Sequence, residues 1–469
     1  MTEKPVFRPG KWLLGLLLIL MICTLTACAA PAAEPEVTAS PLPTPTPAPA
    51  TPAPPERIRL GGLSYRADVE SLALLSGTDL DELARKLPEF TAMKTVVIRG
   101  AAVENEAQDA LREQFPQIEF RFPTRLLGRD WPWDTALLDL TGQELTEEDL
   151  EELRTNAWRL PRLERVDLTG SAFDGETLHA LDLALGDVDV VWTFPVYGVT
   201  VCSTDEEIDL SRRSVRDHAA ALEAVLPWFS HLNKVVMCHC GVPNEEMDAL
   251  NKKYEDIRFV WSVYFSMWSL RTDATNFIAA RTINHAELWS SECSVLRYCT
   301  DLIALDLGHK NLTDLSFLYD LPKLQYLILV AMDINDITPI GSLSELKYLE
   351  VFWTKIEDLS PLINCKNLQD LNICYIYCKP DKAFDTLMQM PWLERLWYCG
   401  NALSEEQIEA LKANMPDCEM YLEPHGESTG GTWRYHPHYF EMRDVFEMYY
   451  MEGGTNGVAA DGSQIVRRG

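Results

Sequence analysis

From Leu302 to Cys374 apolar residues return in phase every 22 positions. Leu302, Leu324, Leu346 and Leu368 open four units; Leu305, Leu327, Leu349 and Leu371 follow three places later, then Leu307, Leu329, Val351 and Ile373 two after that. The L-x-x-L-x-L spacing puts alternate residues on one face of a short strand, and a return of about two dozen residues brings the next strand alongside. Stacked parallel strands sharing a leucine core are therefore predicted. The intervening positions point the other way. Tyr326, Tyr348 and Asp370 then form one outward column, Asp306, Ile328, Glu350, Asn372 and Trp397 a second, and Gly308, Val330, Phe352, Cys374 and Cys399 a third.

Upstream, a longer similarity recurs. Val96, Val166 and Val235 lie in corresponding strands 70 and 69 residues apart, and Ile118, Val188 and Ile257 repeat the same steps. Strands are expected to begin near 70, 94, 117, 137, 165, 188, 207, 234, 257 and 275, and then near 303, 325, 347, 369, 394 and 418. Between them, residues 104–115, 176–185 and 244–254 have helical apolar spacing, as in Met247, Leu250 and Tyr254. The segments around Trp131, Phe194 and Trp268 suggest short hairpins.

The run Ile334-Asn-Asp-Ile337-Thr-Pro-Ile340, with Ile356-Glu-Asp-Leu359-Ser-Pro-Leu362 and Leu312-Thr-Asp-Leu315, resembles the internalin-type bacterial leucine-rich repeats over residues 300–400. With the periodicity, this gives an α/β leucine-rich-repeat solenoid having a parallel concave β-sheet and convex helices and turns. Irregular repeats occupy 57–290 and regular ones 291–423; a separate N-terminal α/β domain over 58–290 is the competing division. The resemblance implies a surface used for binding proteins rather than for catalysis. One departure matters: where the family carries a loop-bonding Asn after each strand, this chain has Lys310, Met332, Thr354 and Ile376.

Two outward features invite a ligand. Tyr326, Tyr348, Glu350, Phe352, Asp370, Asn372 and Trp397 would form one aromatic and acidic patch, since parallel neighbours stand about 4.8 Å apart and rigid aromatics make strong contacts. The bland alternative is that the C-terminal tail folds over them. Asp139, Asp167, Asp189 and Asp209 are expected at one outward position on four consecutive strands, where stacked carboxylates would attract calcium or a Lys/Arg-rich ligand, unless they are simply a solvated acidic face. After Glu423 the pattern stops. Residues 424–452 read as an aromatic cap with Pro437 opening a helix, and 453–469 as a disordered tail. His436-Pro-His438 with His425 lacks helical i, i+4 spacing, which weakens it as a metal site.

The N-terminal residues lead to the expectation that the chain is exported. Lys4, Arg8 and Lys11 precede an apolar run too short to span a bilayer, and Leu25-Thr26-Ala27-Cys28 resembles a bacterial lipobox. Residues 1–27 are thus expected to be removed and Cys28 to carry the lipid. Residues 29–56 hold ten prolines and read as an extended stalk reaching on the order of 80 Å. Removing the leader takes three basic residues and one acidic, so the formal charge moves from −30 to −32. That acidity disfavours nucleic acid and suits cationic partners or simple solubility. Ten cysteines remain, from Cys202 to Cys418, most expected as buried small apolar residues.

No nucleophile elbow, phosphate loop or zincin helix occurs. The sequence reads as a lipid-anchored, monomeric surface protein binding a protein or glycan; a structural envelope scaffold and, less favoured, a carbohydrate-active enzyme are the alternatives. Replacing Cys28 by Ser should move the protein from the membrane fraction to the soluble fraction and abolish incorporation of labelled fatty acid. Unchanged labelling would contradict the anchor.

Overall fold

The computed structural model describes residues 56–279, 287–400 and 402–448; the leader, Cys28, nearly all of the stalk and the 453–469 tail lie outside them. The chain divides into two compact units, one of residues through 195 with 200–205 and 225–231, the other of 196–199, 206–224 and 232 onward.

In the first unit, Ser71–Leu75, Thr95–Arg99 and Glu119–Arg121 form one parallel sheet, and Leu137–Asp139, Arg165–Asp167 and Asp189–Val191 another. Helices Asn105–Gln114, Glu147–Asn156 and Gly175–Leu185 connect strands. Their starts follow local chemistry: Thr146 and Asp149 close a capping box, and the Asp174 carboxylate accepts from the Thr177 N–H. The expected hairpin at Trp131 is present, Arg129–Trp131 pairing antiparallel with Thr124–Leu126 across a Leu127-Gly128 turn with both φ values positive.

In the second unit, Glu207–Asp209, Lys234–Val236 and Arg258–Val260 form a three-stranded parallel sheet. A seven-stranded one follows: Asn276–Ile278, Ala304–Asp306, Tyr326–Ile328, Tyr348–Glu350, Asp370–Asn372, Arg395–Trp397 and Glu419–Tyr421 pair in chain order, every neighbour parallel. All sixteen expected strand starts fall within two residues of observed ones. Leu302, Leu305, Leu307 and their equivalents in the next three repeats are fully buried. With this period and register the fold is leucine-rich-repeat-like.

Two small devices turn each repeat. Asp314, Asp336 and Asp358 accept the N–H of Ser316, Thr338 and Ser360 two residues on, starting the short 3-10 helices Ser316–Asp320, Thr338–Ser342 and Ser360–Asn364. This explains the recurrent Asp in the motif. The second device sits two places past the last core residue of each strand, where His309, Ala331, Trp353 and Tyr375 take positive φ values of 54–61°. Their N–H groups donate to Val330, Phe352, Cys374 and Cys399 carbonyls at 2.7–3.0 Å, carrying the ladder one step beyond each strand. The loops do without the family's Asn. At Thr354 the hydroxyl donates to the Val351 carbonyl at 2.7 Å, while Met332 and Ile376 are buried.

A left-handed L-residue costs about 1–2 kcal/mol, so the repeated turn holds local strain that the ladder overcomes. Ala331→Gly should therefore raise stability by roughly 0.5–1 kcal/mol, and Ala331→Val lower it by about 1 kcal/mol or more, read from urea midpoints. Equal midpoints would deny the turn's role.

Candidate functional site

On the outer face of the seven-stranded sheet the columns are real neighbours. Tyr326, Tyr348, Asp370, Arg395 and Glu419 stand in one row, and Ile328, Glu350, Asn372, Trp397 and Tyr421 in the next. The expected open patch is corrected, however. Tyr326, Tyr348, Glu350, Phe352, Asp370, Asn372 and Trp397 are all buried, none more than 8% exposed. The cover is the chain's own C-terminal segment: Trp433, Met442, Phe446 and Met448 pack on Tyr348, Phe352, Trp397, Cys374 and Cys399 as a second core.

The face grips that segment largely through its backbone. Tyr375 donates its hydroxyl to the Gly426 carbonyl at 2.6 Å, Asn372 its amide to Ser428 at 2.7 Å, Trp397 its indole N–H to Gly430 at 3.0 Å, and Arg395 its guanidinium to Trp433 at 2.9 Å. Gly430 permits the close approach, because a Cβ there would meet the Tyr421 hydroxyl at 2.9 Å. Trp433 is the anchor. Its ring lies 5.0 Å from Trp397 and 5.5 Å from Tyr348, and the Arg395 guanidinium sits 4.3 Å above it. Helix Pro437–Val445 starts at Pro437 as expected and lays Met442 into the same core.

Two carboxylates lie inside this layer. Glu350 Oε1 accepts the Trp433 indole N–H at 2.8 Å and the Tyr348 hydroxyl. Burial pushes the Glu350 carboxyl above its ordinary 4.5, against the downward pull of those two hydrogen bonds. Asp370, 2% exposed, is held at 2.8 Å by Arg395 and at 2.9 Å by His438 Nδ1. The ion pair brings its own acceptors and donors, which is what makes a buried charge tolerable.

The proposed aspartate column does not form. Asp139 pairs in register with Asp167, but the next strand places Val191 there, and Asp189 stands opposite Arg165. Asp209 belongs to another sheet, opposite Val236. The error was one of register: Val191-Trp192, not the Asp189 dipeptide, is the equivalent of Asp139-Leu140 and Asp167-Leu168. Each remaining aspartate has a local task, since Asp139, Asp167 and Asp209 accept the N–H two residues on, from Thr141, Thr169 and Ser211. No stacked calcium cage results. The ten described cysteines are all free thiols, eight of them buried.

Exposed aromatics remain along the turn edge, as at other places on the surface. Trp353 and Tyr377 are 55% and 63% exposed, and Trp353 meets Tyr375 edge to face at 6.3 Å. Beside them is a groove of about 710 Å³ lined by Glu357, Tyr375, Tyr377, Lys379, Lys382 and Gly400. Gly400 makes room, because any Cβ there would strike the Tyr375 ring at 2.3 Å. Sequence reasoning passed over this edge, although two bulky aromatics at the left-handed turn position are a readable signal. It also passed over Arg395, which occupies the same column as Asp370 one repeat on.

No protein-family model and no curated protein matches the chain. Among solved structures, an internalin C2 from Listeria monocytogenes is 23% identical over 34% of this chain and 76% of its own, with a TM-score of 0.25. An internalin F from the same species is 14% identical over 63% and 84%, TM-score 0.26, and a leucine-rich-repeat protein from Leptospira interrogans 12% identical over 72% and 91%, TM-score 0.26. The period and strand register of this chain, rather than those likenesses, make its fold leucine-rich-repeat-like.

Trp433→Ala should cost about 3–5 kcal/mol and release the segment, seen as rapid proteolysis after residue 421 while the repeats resist. Glu350→Gln keeps the acceptor oxygen but removes the charge. A carboxyl whose folded pKa is raised stabilises below its unfolded value near 4.5 and loses that contribution as pH rises through the folded value. Wild-type stability should therefore fall with pH between about 4.5 and the raised folded value, a decline that Glu350→Gln lacks; parallel pH curves would contradict this.

Proposed function

We propose that this chain is an exported, lipid-anchored scaffold that binds a protein ligand at its turn edge, around Trp353, Tyr375 and Tyr377. The observation that carries the reading is the exposure of Trp353 and Tyr377 beside the groove, with half-buried Tyr375 between them and the Trp353 and Tyr375 backbone held by hydrogen-bonded left-handed turns. Rigid, solvent-facing Trp and Tyr lose little entropy on binding and are the residue types that dominate contact energies. Lys379 brings a cation to a groove in which Lys382 already pairs with Asp358 at 3.6 Å, which favours a ligand presenting a carboxylate next to an apolar anchor.

The leucine-rich-repeat-like fold suits such a role, offering a broad surface for contact. Anchoring at Cys28 and the proline stalk would hold this surface away from the membrane. Because the outer sheet face is taken by the C-terminal segment, contact falls to the turn edge.

A photo-crosslinking residue at Tyr377, carried by the intact protein on its own cells, should trap a discrete partner, and one at Tyr319, exposed on a different part of the repeat, should not. Trp353→Ala should reduce the trapped yield by roughly tenfold or more. Equal yields at the two positions, or no effect of Trp353→Ala, would reject the edge as the contact surface.

A further inference from the structure

One further cluster has the chemistry of a metal centre. Asp370 on the sheet and His436 and His438 at the start of the last helix each turn one ligand-capable atom to a common spot, all within 4.8 Å of one another. We propose that these three residues bind a first-row divalent cation of the zinc class, through one carboxylate oxygen and two imidazole nitrogens, and that the ion pins the C-terminal segment to the sheet.

The spacing fits. Zinc bonds of about 2.0–2.2 Å place tetrahedral donors a little over 3 Å apart, and His438 Nδ1 already lies 2.9 Å from Asp370 Oδ2, so small side-chain shifts admit the ion. The surroundings orient each ligand as metal sites require. Arg395 holds the other oxygen of Asp370 at 2.8 Å, leaving Oδ2 to the histidines. Without the ion His438 Nδ1 donates to Asp370 Oδ2; binding would release that proton, leaving the ring proton on Nε2, 3.7 Å from the Glu394 carboxylate. His436 Nδ1 now accepts the His438 N–H at 3.2 Å, a weak cap that coordination would replace or leave, depending on which ring nitrogen binds.

Charge favours a dication as well. Asp370, Glu394 and Glu419 surround a single Arg395, whose Nε lies 3.9 Å from Glu419, so the neighbourhood is net negative before the ion arrives. The His-Pro-His spacing looked unsuited because a helix alone cannot converge it. Here His436 is the cap, Pro437 and His438 begin the helix, and the third ligand comes from the sheet.

The test is a calorimetric titration of zinc chloride into the purified, metal-stripped protein, with cobalt as a spectroscopic probe. One ion per chain is expected, with visible cobalt bands of a nitrogen- and oxygen-ligated site and a raised thermal midpoint. His436→Gln and His438→Gln should each weaken zinc roughly tenfold or more, and His425→Gln, outside the cluster, should leave it unchanged. Wild-type protein that takes up no zinc and shows no cobalt bands overturns the proposal. So does zinc affinity that survives replacement of both histidines.

Discussion

The structure of the second unit turns on what a leucine-rich period leaves unsatisfied. Packing Leu305, Leu327, Leu349 and Leu371 into one core forces Tyr348, Glu350, Phe352 and Trp397 to the opposite face, which is too apolar to leave wet and too charged to leave dry. Monomeric proteins seldom expose apolar patches of that extent. Trp433 resolves both demands with one side chain. Its ring fills the space between Tyr348 and Trp397, and its indole N–H supplies a donor for Glu350. The carbonyl contacts from Tyr375, Asn372, Trp397 and Arg395 then satisfy the backbone that comes with it.

Much of the fold was legible because a packed repeat must keep its spacing. The strand starts near 303, 325, 347 and 369 could be read directly, since any slip would turn Leu305 or Leu327 out of the core. Even the irregular strands near 137, 165 and 234 were found to within two residues. The aspartate column fails for the same reason in reverse: it places Asp189 in register with Asp167, while the observed register, with buried Val190 opposite Val166, puts Val191 there.

The site was less legible. Its columns were right, but whether a column faces water depends on a segment 33 to 83 residues away in sequence, and periodicity carries no information about that contact. The tail's aromatic density was visible; that Trp433 would find Glu350 rather than cap the last repeat was not. Helical spacing alone does not bring His436 and His438 together with a third group, because Asp370 comes from the sheet. The turn edge was missed because attention to L-x-x-L-x-L stops at the strand, and Trp353 and Tyr375 lie just past it. With the sheet face covered, Trp353 at this edge stays exposed while the expected patch does not.

The central claim is that residues 426–446 form part of the folded unit, seated on the outer sheet face. Amide hydrogen exchange on the intact protein tests it most directly. Residues 440–446, whose amides lie in the terminal helix, should exchange about as slowly as Tyr348–Glu350 and Asp370–Asn372 and should lose protection cooperatively with them under mild denaturant. Exchange of that segment at the rate of a free chain, with the strands still protected, would contradict the account.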